Sequence, residues 1–189
     1  MGVVGRSRGA DGRNRDTCYA ENELNIPVRV EPCVGSAPDV VYRWDRDTDI
    51  LTAHLSRPDD TGGLSGSVDL EGSDGSWLIL DVAGGRINGV EVAVWPTVRK
   101  RSDLSPPDDV TDASVLVTAD AAPRLAALEV DTSMSADADH DERTIHFCLG
   151  ARRATRTVRI AREVLLDIDG RNRLAGVWLL DVPPFPEEA

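Results

Sequence analysis

With 189 residues, 41% of them hydrophobic, the chain has enough apolar matter for a packed interior; this excludes wholesale disorder and leaves room for one domain or two small units sharing a core. Aromatic residues make up only 4%, too few for a single-strand stacking platform, and a net charge of −12 repels nucleic acid while suiting basic protein partners or plain solubility. No apolar run approaches a membrane span, and Cys18, Cys33 and Cys148 are too scattered for a disulfide framework, so a reducing cytoplasm is expected.

Residues 1–25 are rich in Gly, Arg and Asn, lack the apolar stretch of a secretory signal, and carry Arg6 where a myristoylation signal needs Ser or Thr. A mobile tail is expected there. From 26 to 96 the chain reads as β structure. "SVDLE" and "GVEVAVW" alternate apolar and polar residues, and "RPDDTGG", "EGSDG" and "AGG" supply turn chemistry between the runs. "WLILD" and "GVEVAVW" form a predicted hairpin through "VAGGRIN", whose glycines tolerate positive φ. Residues 97–112, with their charges and the adjacent prolines Pro106 and Pro107, read as a linker. Residues 113–183 return to β pattern in "RTIHF" and "TVRIA"; the best helical candidate, "TADAAPRLAAL", is interrupted by Pro123. Residues 184–189 form a proline-rich tail.

The two β stretches match. "LILDVAGGRINGVEVAVWP" at Leu78–Pro96 answers "LLDIDGRNRLAGVWLLDVP" at Leu165–Pro183, and earlier blocks follow in step. Val28 and Val115, Asp45 and Asp131, Asp81 and Asp167, and Gly89 and Gly176 are each 86 or 87 residues apart. The expected fold is therefore mainly β: two pseudo-twofold-related antiparallel β repeats, 26–96 and 113–183, sharing one core, with little helix. One unit alone would bury little apolar surface, and duplication remedies that.

The unit resembles the DUF2283 family of small uncharacterised bacterial proteins. "WDRDTDILTAHL" is similar to that family's opening hairpin and "TRTVRIAREVLLDIDGRNRLAGVWLL" to its closing block. On this resemblance Trp44 takes the family's Tyr position, with Asp45, Asp49, Leu51, Asp81, Gly89 and Glu91 in family positions of the first unit. The second unit keeps Asp167, Asp169, Gly170 and Gly176, but Trp178 replaces the Glu. The family implies a fold and no chemistry.

Motif by motif, chemistry is sparse. Asp-x-Asp-x-Asp occurs at Asp45/Asp47/Asp49 and Asp137/Asp139/Asp141, yet the Gly and Glu that would complete a Ca²⁺ loop are replaced by Ile50 and Ser56, and by Glu142 and Cys148. These Asp side chains are expected to bond turn N–H groups. His146 and Cys148 share a strand face at a spacing compatible with a metal pair, but no second pair completes a site, and a packed His beside a buried Cys is expected. No metal, cofactor or catalytic constellation is expected. The basic stretch Arg152, Arg153, Arg156, Arg159 and Arg162 is expected to pair with acids of the first unit.

Charge is uneven: four Arg stand against eleven acids between Asp39 and Pro96, and nine against ten between Arg124 and Pro183. The leading expectation is a non-catalytic interaction protein, antitoxin-like or immunity-like, that binds a basic protein partner and is a monomer or weak homodimer without nucleic acid or membrane. The alternative is a small-molecule or anion binding protein, or an enzyme, with a site between the repeats. Candidate binding residues are Asp45, Asp47, Asp49, Glu91, Arg156 and Arg159.

Overall fold

Alternating β-branched and polar residues build strand after strand, and the computed structural model, which describes residues 26–33, 35–56, 65–118 and 127–186, is all β with no helix among them. In chain order the strands are β1 (Val28–Pro32), β2 (Val40–Asp45), β3 (Ile50–Leu55), β4 (Gly66–Gly72), β5 (Trp77–Ala83), β6 (Arg86–Val94) and β7 (Val98–Lys100). They continue as β8 (Val110–Val117), β9 (Ala127–Thr132), β10 (Met134–Ala138), β11 (Ile145–Leu149), β12 (Thr155–Ala161), β13 (Val164–Asp169) and β14 (Leu174–Leu179). The expected N-terminal tail and most of the helical candidate, residues 119–126, lie outside the described residues.

In the first segment the strands pair antiparallel in the order β2-β3-β6-β5-β4. The second segment pairs in the order β10-β11-β14-β13-β12, also antiparallel throughout. Three parallel pairs complete the sheet: β7 beside β10, β8 beside β12, and β9 beside β4. β1 runs antiparallel to β8. The result is one mixed sheet rather than a purely antiparallel one, because the strands at the seams arrive by crossing over rather than by a hairpin. Only Ser133 separates β9 from β10, so one bent run serves both ends of the sheet and curls it round.

One apolar cluster fills the curl. Leu51, Leu70, Leu78, Leu80 and Ile87 of the first segment meet Phe147, Leu149, Ile160, Leu166 and Val177 of the second. Each such side chain contributes about 1.5–3 kcal/mol when fully buried. In β5, Leu78, Leu80 and Val82 point inward while Trp77 and Asp81 face out. β13 and β14 are different: every residue is buried, as in strands covered on both faces.

The cover is the linker. Residues 97–112 hold β7 and the start of β8. β7 joins the β10 edge and β8 the β12 edge, which makes residues 101–109 cross the outer face of the second segment. The C-terminal stretch is likewise packed where it is described: Phe185 meets Trp44 edge to face at 5.1 Å. Among the described residues no helix is long and apolar enough to cross a membrane.

Candidate functional site

Strand parity places the chemistry on the outer faces. In the first segment one row runs Arg43, Thr52, Glu91, Ile79, Asp69, Glu129 across six paired strands. Beside it Trp77, Glu71 and Asp131 form a second row, and Val41, His54, Gly89, Asp81, Ser67 and Ala127 a third. Residues on neighbouring strands in one row face the same side, so these carboxylates share one surface. Asp69 stands directly opposite Glu129, and Glu71 directly opposite Asp131. Among the described residues none of Asp69, Glu71, Asp81, Glu91, Glu129 or Asp131 forms an ion pair. Asp69 Oδ1 is buried without a hydrogen-bond partner among the described residues. Half-burial, then the charges of Asp81 and Asp69, push the Glu91 carboxyl above its ordinary range. Trp77 and Val41 add exposed apolar surface among the acids.

The matching row of the second segment reads His146, Trp178, Leu165, Arg159. Here acids give way to aromatic, apolar and basic groups, roofed by the linker. Asp167 collects three donors: the His146 ring at 2.9 Å, Thr157 Oγ1 at 2.6 Å and Trp178 Nε1 at 3.1 Å. Burial pushes this carboxyl up, but the bonds from His146, Thr157 and Trp178 outweigh it and hold it below the usual range. The His146 ring stacks on Trp178 with centroids 4.0 Å apart. Arg101, Asp103, Cys148 and Arg152 close a nook of about 330 Å³ around this group. Burial raises the Cys148 thiol despite the opposing pull of Arg152 and Arg153. Asp137, only 6% exposed, takes Arg99 at 2.7 Å, Arg152 at 3.5 Å and Arg101 at 3.7 Å, and so offsets part of the positive charge those arginines bring.

The sequence-derived candidates do not form one site. Asp45 and Glu91 lie on the open face of the first segment. Asp47 closes the adjacent turn, its N–H donating to Asp45 Oδ1 at 2.9 Å, as expected of a solvated Asp turn. Asp49 sits at φ 57, and its carbonyl accepts from Trp95 Nε1. Arg156 and Arg159 are elsewhere, on β12: Arg156 donates to Asn172 Oδ1, and Arg159 pairs with Asp112 at 3.2 Å. Of the basic stretch only Arg162 reaches an acid of the first segment among the described residues, Asp39 at 3.1 Å, whereas Arg152, Arg153 and Arg159 pair with Asp137, Asp169 and Asp112. Sequence reasoning missed Asp69, Glu71, Glu129 and Asp131. Their signal was the alternation of acid with apolar residue in "VDLEG" and "LEVDT".

Among the described residues no three His, Cys, Asp or Glu side chains are placed to hold a metal. Between the segments lies a shallow groove of about 750 Å³ lined by Glu71, Gly72, Asp131 and Thr132. Its charged lining is acidic, which suits a cation better than an anion. Compared with known proteins, the chain matches no family model and no curated protein.

Proposed function

We propose that this protein is a non-catalytic interaction module, antitoxin-like or immunity-like, that holds a basic protein partner against the open acidic face of its first segment. The observation that carries the reading is the like-charge pairing of Asp69 with Glu129 and of Glu71 with Asp131. Like charges directly opposite on neighbouring strands are destabilising, and a cationic partner converts that cost into attraction. Trp77 and Val41 supply apolar anchors within the charged surface. The likeness of each unit to the DUF2283 family belongs to the same reading, as does a reducing cytoplasmic setting for the free thiols Cys33 and Cys148.

Full-length protein serves as bait in a lysate of the source cells, beside two variants of equal net charge. Glu129→Gln/Asp131→Asn is expected to lose a salt-sensitive partner that the wild type and Asp108→Asn/Asp109→Asn both retain. A partner lost equally from both variants, or from neither, removes the face from the explanation.

A second reading, a small-molecule or anion binding protein, draws on the nook where His146, Cys148, Arg101 and Arg152 converge. It carries less weight because Asp137 and Asp103 already pair with these arginines and offset part of their charge. A saturable rise in melting temperature with phosphate, absent in Arg152→Ala, would favour it.

A further inference from the structure

Aromatic rings are scarce in this chain, yet four of the eight gather at one end of the molecule. Trp44 and Trp95 stack with centroids 5.8 Å apart, Phe185 meets Trp44 edge-on, and Phe147 lies 5.9 Å beneath Trp95. The indole N–H groups are already spent, Trp44 donating to the Pro183 carbonyl and Trp95 to that of Asp49, both at 2.9 Å. What remains to a ligand is the ring surface that the Trp44–Trp95 stack leaves open to the cleft. Trp44, Trp95 and Phe185 line a cleft of about 230 Å³, and Asp141 and Glu142 of the β10–β11 turn complete its wall.

We infer that this cleft is a binding site for an alkylammonium group, a quaternary or methylated amine. The negative faces of aromatic rings attract a cation that sheds its water easily, and a methylated ammonium does so more readily than a bare one. Carboxylates at the wall supply the counter-charge. Lys100 already holds Glu142 at 2.6 Å, whereas Asp141 has no side-chain bond among the described residues. No Lys or Arg among the described residues sits on the Trp44, Trp95 or Phe185 rings. The volume fits a head group rather than a drug-sized ligand, which needs roughly 300–1,000 Å³. This site stands apart from the acidic sheet face and does not depend on it.

The test is tryptophan fluorescence and melting temperature of the full-length protein titrated with choline and, in parallel, with its neutral isostere 3,3-dimethylbutan-1-ol. Choline is expected to give a saturable change in both signals and the isostere none. Phe185→Leu, which keeps apolar bulk at an exposed position, and Asp141→Asn are each expected to weaken choline binding about fivefold or more without lowering the melting temperature of the free protein. Equal response to the two probes would make the cleft a plain apolar depression and overturn the assignment. So would no response to choline, or binding indifferent to both substitutions.

Discussion

Asp81 and Asp167 each stand opposite a glycine on the neighbouring strand, Gly89 and Gly176, and each strand is bulged just beyond the Asp. The glycines are there because the carboxylate lies over them. A Cβ on Gly176 would come within 2.8 Å of Asp167 Oδ2, 2.9 Å of the Phe147 carbonyl and 3.0 Å of His146 Nε2. On Gly89 it would meet Asp81 Oδ2 at 2.9 Å and the Ala53 carbonyl at 3.3 Å. Asp81 is exposed and can swing aside; Asp167 is buried and held by three donors. Gly176→Ala is therefore expected to cost about 3 kcal/mol and Gly89→Ala about 1, read from urea unfolding. Equal costs would mean that the three donors do not fix Asp167. Its depressed pKa gives a second check. A carboxylate stabilised on folding contributes fully above its unfolded pKa, about 3.9, and loses that contribution as pH falls through the lower folded value. Asp167→Asn should be about 1–3 kcal/mol less stable at neutral pH, with the gap closing below about pH 4. Glu91 has the opposite sign. Its folded pKa is raised, so its contribution is present below the unfolded pKa, about 4.3, and is lost as pH rises through the folded value. Glu91→Gln should melt above the wild type at pH 7 and level with it near pH 4.

Between β4 and β9 the same physics acts on whole strands. A parallel pair that aligns Asp69 with Glu129 and Glu71 with Asp131 spends stability on charge repulsion, and the buried faces beneath, Val68 and Leu70, hold it together. Glu129→Gln is expected to raise the melting temperature by a few degrees at low ionic strength, and molar salt should erase the difference. A variant that melts below the wild type at low salt would show that Glu129 has a stabilising partner after all. How far these elements could be read from the sequence depended on side-chain size and pattern. "SVDLE" and "TVRIA" alternate polar and apolar residues and are strands where expected. "MSADA" offers only small side chains at Ala136 and Ala138, without β-branched residues, so nothing marked it as β10; it is held by bonds from β11 on one side and β7 on the other. The matching of Asp45 with Asp131 consequently assigned the hairpin position to β9, whereas pairing with β11 gives it to β10, and Asp139 stands after Ala138 as Asp45 does after Trp44. His146 and Asp167 are 21 residues apart, and their bond depends on the order β11-β14-β13, which no local pattern states. The contrast between Glu91 and Trp178 was legible, because an apolar outer face must be covered, by the seam between the repeats or by the linker; of these two the structure has the linker.

At the scale of the whole chain the two segments are not self-sufficient. The outer edge of β4 is paired by β9, whose chain runs on directly into β10 of the second segment. β1 and β8 join across the middle, Val28 and Val30 meeting Val117 and Val115. β2 is clasped from beyond β14: Tyr42 Oη donates to the Leu180 carbonyl at 2.9 Å and Trp44 Nε1 to that of Pro183. The apolar cluster draws on both segments, so separating them exposes the inner face of each. An exposed inner face and a bare strand edge together favour aggregation over folding in a unit of this size. The chain cut within the crossing linker, at the Ser105–Pro106 bond, should therefore give two fragments that are unfolded or aggregated when made separately. Made together, they should co-purify as one species of native size with a single cooperative melt, since only the linker's continuity is lost. Circular dichroism and gel filtration of each fragment alone decide the matter. Either fragment folding by itself as a soluble monomer with a cooperative transition would show that its own five strands close a core, and that β9 and β1 are accessories rather than parts of it.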